Sequence, residues 1–480
     1  MSDAPEHPQL RRALGPGVAI SMVVGNVIGA GIFMKPSDAA AATGSFPVIM
    51  AAWIAGGFVC VLGALCFAEL GVMYPKAGGL YVFLKEAFGR PVAFLFGWSE
   101  FVFGRPASIG ALAAGMTYQF GQILNTSFGP IEEIIISLGL VACTAAINIR
   151  GVVWGGAAQV GTTLVKAGFL FLLALLPFAM FSTGRGINVS NYSTTITPTV
   201  DGFSTQFAVA LLAIMWAYNG WHAVTPVAEE IKDPQRNVPF AMFGGLAVLI
   251  GLYLFANVAY HGVLTMEEVR QAGLGLPQRM VERILGHESS GQGGSSYWVQ
   301  FGITCVSFAA ICSMLGAMNA NFMNGPRVSF AMGRDRVFFA QLGHIHPKFR
   351  TPHVSIYVQT GMAAVLILAS AVLVRVSPIF AKSSIFDILT DYVVVIASIF
   401  YMLVVLAVMI LRRTQPERER PYKIPLYPYV PIVYLILNGW LIYYLMLNDK
   451  HRVEAAWGVG LSLAGLPVYY ALFHRLPRAE

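Results

Sequence analysis

Long apolar runs dominate this sequence and constrain its fold more than any other feature. A helix needs roughly 20 apolar residues to cross the hydrocarbon core of a bilayer. Of the 480 residues, 56% are hydrophobic and only 11% are charged, whereas soluble domains carry about 25% charged residues. The sequence therefore predicts an all-α integral membrane protein with twelve transmembrane helices. The predicted spans are 15–43, 47–73, 91–122, 130–150, 155–183, 203–230, 240–263, 297–332, 354–374, 384–411, 429–447 and 453–474.

The basic residues give the chain a net charge of +7 and predict its orientation in the membrane. Lys and Arg are densest at 327–350 and 412–423, in segments that twelve spans place on one side. The positive-inside rule then predicts that the tails 1–14 and 475–480 are both cytoplasmic. The same distribution argues against nucleic acid as a partner, and the lipid bilayer is the expected one.

Two glycine-containing interruptions occur within the apolar runs. The first is GNVIGAGIF, residues 25–33, in the first span. One interpretation is close helix packing, because Gly25 and Gly29 have small-xxx-small spacing. The other is a helix that unwinds for a purpose, since glycine weakens a helix and lets a ligand approach the backbone.

The second interruption favours the unwound interpretation. WAYNGWH, residues 216–222, places Asn219, Gly220 and His222 within the sixth span. Interrupted spans in corresponding positions of two halves are typical of a transporter's binding site. Since the two spans are five apart, we expect inverted repeats over 15–183 and 203–411, with 429–474 appended.

The unwound backbone predicts a receptor for a zwitterion. A half-helix that starts after a break presents unpaired N–H groups and a partial positive charge to a carboxylate. A half-helix that ends before a break presents carbonyls to an ammonium group. The N–H groups expected to bind the carboxylate are those of Ala30, Gly31 and Ile32. The carbonyls expected to bind the amino group lie near Val27 and at Trp216, Ala217 and Asn219.

These motifs resemble the L-type branch of the amino acid–polyamine–organocation (APC) superfamily. GNVIGAGIF is similar to that branch's Gly-x-Ile-Ile-Gly-Ser-Gly-Ile-Phe, and AYNGWHAVTPVAEEIKDPQRNVPFAM from Ala217 is similar to its sixth-span motif. NGPRVSFAMGRDRVFFAQLGHIHPKFRTP and RPYKIPLYPYVPIVYLIL also resemble segments of the branch. The resemblance implies a LeuT-like fold, with five-plus-five helices and two extra ones, and exchange of free amino acids. It also adds Ile28 and Gly29 to the substrate-binding stretch.

The chain departs from the branch pattern at several positions in these motifs. Ala30 replaces a serine, and Trp216 replaces the phenylalanine that serves as a thin gate. Asn219 carries no charge, which favours neutral substrates. Asn26 and His222 are candidates for the pocket, although packing is the favoured role for His222.

Lys166 is a candidate coupling residue within the fifth span. It lies about ten residues, or roughly 15 Å, from the start of the span, too far to reach the interface easily. An ionisable residue at this depth is a functional hypothesis. In similar transporters a lysine here takes the place of a sodium ion, so we expect Lys166 to bind carbonyls near Val24 and Gly25 and brace the first span against the eighth. The residues do not distinguish a permanent brace from a proton carrier.

Other charged residues in the spans are interpreted as structural ion pairs. Those near span ends are Glu69 and Arg105, and Glu100, Asp387 and Asp391 are treated in the same way. No catalytic set, cofactor motif or metal cluster is recognised, and all five cysteines lie within spans. The chain is therefore not expected to be an enzyme or to need a cofactor.

Four functions remain open. Sodium-independent exchange of neutral amino acids is favoured, followed by proton-coupled symport on the same fold. A basic amino acid or polyamine antiporter would need acidic side chains at the site, and a receptor without transport would not explain the interruptions. The loop QILNTSFGPIEE lacks the cysteine through which eukaryotic members bind a glycoprotein. We therefore expect a bacterial inner-membrane protein without a disulfide-linked heavy subunit.

Overall fold

The protein, described here by a computed structural model, folds almost entirely into helices. The structure describes residues 10–285, 297–376, 393–447 and 449–474. Residues 1–9 of the predicted N-terminal tail, the tail 475–480, and the start of the predicted tenth span with Asp387 and Asp391 lie outside the described residues.

The described α-helices follow one another with short connections. In chain order they are α1 (Pro16–Val27), α2 (Gly31–Thr43), α3 (Phe46–Met73), α4 (Leu80–Phe88), α5 (Arg90–Ser99), α6 (Arg105–Leu124), α7 (Pro130–Ile149), α8 (Val152–Ala179), α9 (Phe203–Tyr218), α10 (Pro234–Val263), α11 (Met266–Ala272), α12 (Leu276–Leu285), α13 (Tyr297–Arg334), α14 (His353–Val376), α15 (Val393–Thr414), α16 (Tyr429–Leu447), α17 (Asp449–Leu463) and α18 (Gly465–Val468). A π-helix, Glu100–Gly104, joins α5 to α6, and a 3-10 helix, Thr225–Glu230, follows α9. Another π-helix, Tyr469–Phe473, follows α18.

Seven of the described helices are long and apolar enough to cross a membrane, or eight if the bent pair α1–α2 counts as one span. Shorter apolar helices cover Phe203–Tyr218, Tyr429–Tyr444 and Gly458–Phe473. This architecture confirms an all-α membrane protein, while the number twelve remains a prediction. Helix α8 shows the lipid-facing pattern, because Leu164 and Leu172 are exposed on its outside whereas Lys166 is buried on its inside.

The prediction of the sixth span as a helix is wrong in its second half. The sixth span does not resume an α-helix after its interruption. Its second half consists of turns followed by the 3-10 helix Thr225–Glu230, which contains Pro226 at its second position. Proline lacks the N–H that would extend a regular hydrogen-bond ladder.

The interrupted helices lie at the centre of the packing. Helix α2 packs against α9, and α13 packs against α6, α8 and α1. Helix α1, which ends at the first interruption, thus contacts the predicted fifth and eighth spans, and α2 contacts the sixth.

Candidate functional site

The first interruption leaves three backbone donors free. The chain bends by 40° between α1 and α2, and Ile28 leaves the helical conformation with φ −71° and ψ 88°. In the described part of the chain, the N–H groups of Ala30, Gly31 and Ile32 donate to no protein acceptor. They are the donors that the start of a helix leaves unpaired, and the partial positive charge there favours an anion.

The second interruption depends on a glycine. Helix α9 ends at Tyr218, Asn219 is extended, and Gly220 has φ +104°. The Asn26 side-chain amide donates to the Gly220 carbonyl at 3.3 Å. A methyl group at position 220 would overlap the Asn26 side chain. Both the backbone angle and the space therefore require glycine, and this bond links the two interruptions.

The three glycines of GNVIGAGIF have different neighbours. A methyl group at Gly31 would lie 2.7 Å from the Ala217 Cα, so the two interruptions are in direct contact there. A methyl group at Gly25 would overlap side chains of α8. At Gly29 the nearest atom would be the Ala317 Cβ at 3.6 Å, an ordinary contact. Close packing thus explains Gly25 and Gly31, whereas Gly29 faces a cavity.

That cavity brings together most of the predicted site residues. Eight of them line it: Asn26, Val27, Gly29, Ala30, Gly31, Trp216, Ala217 and Asn219. Ile28 and Ile32 are fully buried outside its lining. His222 borders a smaller neighbouring cavity that shares Glu100 and Tyr401 with the main one. Its ring packs against the Tyr401 ring, with centroids 4.8 Å apart.

Trp216 lies against the first interruption. A methyl group at Gly31 would be 3.3 Å from the Trp216 ring, so the ring covers that glycine. The Lys35 ammonium is 5.1 Å from the centroid of the same ring, a cation–π distance. Lys35 also pairs with Asp38 at 2.7 Å. The indole thus lines the cavity and contacts both the first interruption and a cation of α2.

The wall opposite the interruptions contains polar residues that the sequence analysis did not assign to the site. They are Glu100, Arg105, Ser108 and Asn321; Tyr401 also lines the cavity, and its hydroxyl donates to Asn219 Oδ1 of the second interruption at 2.7 Å. These residues lie on spans without glycine interruptions, so the signal used for the first and sixth spans could not find them. The one signal that the sequence offered for this wall was the charge of Glu100 and Arg105 within a predicted span.

Arg105 corrects one prediction. It lies in the middle of the third span and lines the cavity rather than sitting near a span end. Its Nε donates to Glu100 Oε2, and its Nη1 donates to Asn321 Oδ1 at 2.9 Å. The interpretation as an ion pair is right, but the pair belongs to the cavity wall.

The π-helix explains why Glu100 and Arg105 can pair. The Arg105 N–H donates to the Glu100 carbonyl, an i to i+5 bond that adds one residue to the turn. Residues five apart then lie on one face of the helix, whereas in an α-helix the neighbours are three or four apart. Single π turns of this kind are frequent at functional sites.

Lys166 links the first interruption to two other helices. Its ammonium donates to the carbonyl of Gly25, to that of Ile28 at 2.7 Å and to that of Ser313 on α13 at 3.2 Å. Val24 is not among its partners; the Val24 carbonyl accepts the Ile28 N–H at 2.9 Å instead. A cation at the end of α1 interacts favourably with the helix dipole. The lysine therefore joins α1, α8 and α13 behind the cavity.

Further polar bonds hold α1 against α8. Gln159 and Thr163 lie on the same face of α8 as Lys166, and both donate to the Ser21 carbonyl at 3.1 Å. Asn319 on α13 donates to Gln159 Oε1 at 2.8 Å. Three polar side chains thus connect the same three helices that Lys166 joins.

Tyr253 on α10 connects the two interruptions from outside the cavity. Its hydroxyl lies 3.0 Å from the Val27 carbonyl and 3.3 Å from the Ala217 carbonyl. The Val27 carbonyl also accepts the Gly29 N–H at 2.8 Å, so protein groups already engage it twice. Of the four carbonyls predicted to bind an amino group, that of Asn219 is the one without a partner among the described residues. Sequence reasoning missed Tyr253, since nothing in the pattern of α10 distinguishes it from a packed aromatic residue.

The fold and the site together define a class: an all-α membrane protein with a polar cavity between two interrupted spans. Comparison with known proteins identifies the family. Residues 14–462 match the amino acid permease family, and the chain belongs to it. This result confirms the resemblance to the APC superfamily.

Three relatives align with nearly the whole chain. The serine/threonine exchanger SteT of Bacillus subtilis is 31% identical over 470 residues, covering 97% of this chain and 98% of that protein. Asc-type amino acid transporter 1 of Mus musculus is 27% identical, covering 97% and 82%. Large neutral amino acids transporter small subunit 2 of Homo sapiens is 28% identical, covering 96% and 80%. The family and these relatives carry the names of amino acid transporters, not of enzymes.

Proposed function

We propose that this chain exchanges neutral L-amino acids across the membrane without sodium, by alternating access. The single observation that carries the proposal is the contact of two interrupted spans around one cavity, with Gly31 against Ala217. The unpaired N–H groups after the first interruption hold the carboxylate. The carbonyl of Asn219, which has no partner among the described residues, holds the amino group.

Lys166 supports independence from sodium. Its ammonium already contacts the carbonyls of Gly25, Ile28 and Ser313, which lie between the first and eighth spans. A second cation there would have to displace it or share its acceptors. The repeat proposal, 15–183 and 203–411 as inverted halves, is consistent with interruptions in their first spans.

Exchange can be tested with purified protein in proteoliposomes. We expect labelled neutral amino acids to enter vesicles loaded with unlabelled amino acid, and to enter empty vesicles at a much lower rate. Replacing external sodium by choline should leave the rate unchanged. The methyl esters of the same amino acids should not compete, because they lack the carboxylate that the N–H groups bind.

Proton symport is the second candidate, and the buried Lys166 is the observation that favours it. Uptake into empty vesicles driven by an inward proton gradient would select symport over exchange. Strong competition by arginine or putrescine would instead support a basic amino acid or polyamine antiporter. Binding of amino acids with no flux in either vesicle type would refute transport.

We also propose a bacterial inner-membrane location with both termini in the cytoplasm and no covalent heavy subunit. The basic clusters at 327–350 and 412–423 support this orientation. Labelling of single cysteines introduced near each terminus in inverted and right-side-out vesicles tests it. Labelling of both termini only in inverted vesicles is the expected result.

A further inference from the structure

The cavity wall opposite the interruptions is polar, and the proposed function does not yet use it. Glu100, Arg105 and Asn321 form a connected set there, described above. Their side chains are mostly enclosed, since Arg105 is 13% exposed and Glu100 is 19% exposed. We propose that this set is the subsite for the substrate side chain, and that it selects uncharged side chains that form hydrogen bonds.

Position is the first reason. When the interruptions hold the carboxylate and amino group, the side chain must extend into the remaining cavity. That space is bounded by the π turn, by the start of α6 and by α13. Arg105 reaches this wall because the π turn places it on the same face as Glu100.

Unused donors are the second reason. The guanidinium group has five N–H donors. Nε donates to Glu100 and Nη1 to Asn321, and the other N–H groups of this cavity-lining side chain have no partner among the described residues. A hydroxyl or amide oxygen of a substrate accepts such a bond. An apolar side chain displaces water from the same donors without forming a hydrogen bond in its place. Leaving a donor of a charged group without a partner costs binding free energy.

Charge is the third reason. The carboxylate of Glu100 is already neutralised by Arg105. A cationic side chain of a substrate would therefore be attracted only weakly by Glu100 and would be repelled by the guanidinium group. An anionic side chain would likewise be attracted only weakly by Arg105 and would be repelled by the Glu100 carboxylate. A basic amino acid or polyamine antiporter would need acidic side chains at the site, and Glu100 is one. Because Glu100 is paired with Arg105, its presence does not indicate a basic substrate.

The test rests on the proposed function and compares substrates of equal shape. Threonine and valine differ by a hydroxyl in place of a methyl group, and asparagine and leucine have similar shapes. Each of these four amino acids is added unlabelled and competes with one labelled neutral amino acid for uptake into loaded proteoliposomes. We expect threonine to compete at a concentration about tenfold lower than valine, with asparagine likewise below leucine.

A double variant, Glu100→Gln with Arg105→Leu, removes both charges and leaves neither unpaired. It should reduce the threonine-to-valine ratio to below about threefold, chiefly by weakening threonine. The matched control removes an ion pair outside the cavity, Glu229→Gln with Arg334→Leu, and should keep the wild-type ratio. Size-exclusion chromatography and thermal unfolding verify that both variants fold.

Two results would overturn the inference. Equal competition by threonine and valine in the wild type would remove the subsite while leaving amino acid exchange intact. A ratio that survives in the folded double variant would place the selectivity elsewhere in the cavity. Absence of all amino acid uptake, in contrast, would refute the proposed function itself. The wild-type comparison needs no variant, so it can refute the inference even if the double variant does not fold.

Discussion

Tyr253 offers a sharp test of whether the two interruptions act as one site. The change Tyr253→Phe removes only the hydroxyl that connects the Val27 and Ala217 carbonyls. The ring keeps its contacts with Trp53, at a centroid distance of 5.4 Å, and with Tyr218, at 5.2 Å. The variant therefore changes hydrogen bonding with little change in packing.

The magnitude follows from the partners that remain. The Val27 carbonyl keeps the Gly29 N–H, whereas the Ala217 carbonyl has no other partner among the described residues. A buried polar group left without a partner costs about 1–3 kcal/mol. Because one hydroxyl proton serves both carbonyls, we take the lower part of this range, about 1.4 kcal/mol, which corresponds to tenfold in an equilibrium constant.

Two measurements apply to this variant. We expect the Kd for a neutral amino acid, measured by titration calorimetry, to rise about tenfold, with a smaller change in the maximal exchange rate. Tyr260→Phe is the matched control, since Tyr260 lies two turns along the same helix and its buried hydroxyl has no partner among the described residues. That control should bind as the wild type does. Equal Kd values for both phenylalanine variants would refute the idea that Tyr253 positions the interruptions.

Three further predictions follow from contacts of the same region. Gly31→Ala should reduce stability by about 1–3 kcal/mol because its methyl group meets the Ala217 backbone, whereas Gly29→Ala should leave the unfolding temperature nearly unchanged. Lys166→Met should lower exchange at least about tenfold per folded molecule, because buried carbonyls lose an ionic donor, and Lys166→Gln should restore part of the rate; an unchanged rate in the Met variant would exclude a coupling role. Arg327→Met should cost about 3–5 kcal/mol in chemical unfolding because its buried partner carboxylate stays charged, whereas Arg334→Met, in an exposed pair, should cost about 0–1 kcal/mol. Similar losses of unfolding free energy in both arginine variants would contradict the idea that burial makes the Arg327 pair more sensitive than the Arg334 pair.

The sequence predicted the helices and the cavity residues near the interruptions because both leave local signals. Apolar run length sets where a span can begin and end, and the predicted span 429–447 coincides with α16. Glycine at Gly25, Gly31 and Gly220 reflects close approach of another chain segment, which is visible as an unexpected residue in an apolar run. The partner of each glycine is not visible in the sequence.

The opposite wall could not be predicted because its chemistry depends on long-range contacts. Arg105 and Asn321 are 216 residues apart, and nothing in the sequence places them side by side. The π turn that places Glu100 and Arg105 on one face also has no reliable sequence signal, so the sequence indicated ion pairs but not their position in the cavity wall. Tyr253 shows the same limit, since its role depends on two carbonyls from other spans.

The contacts of α1 indicate which end of the first span would move during alternating access. Its C-terminal end is held by Lys166 through carbonyls that lie behind the cavity. Its N-terminal end is held by backbone bonds between Leu14 and the segment around Glu230 and Lys232. The Glu230 side chain is itself fixed by Arg327 in a pair that is almost fully buried. Since exchanging a few backbone bonds with water costs less than separating a buried ammonium from its acceptors, opening at the Leu14 end with a pivot near Lys166 is the motion that these contacts favour.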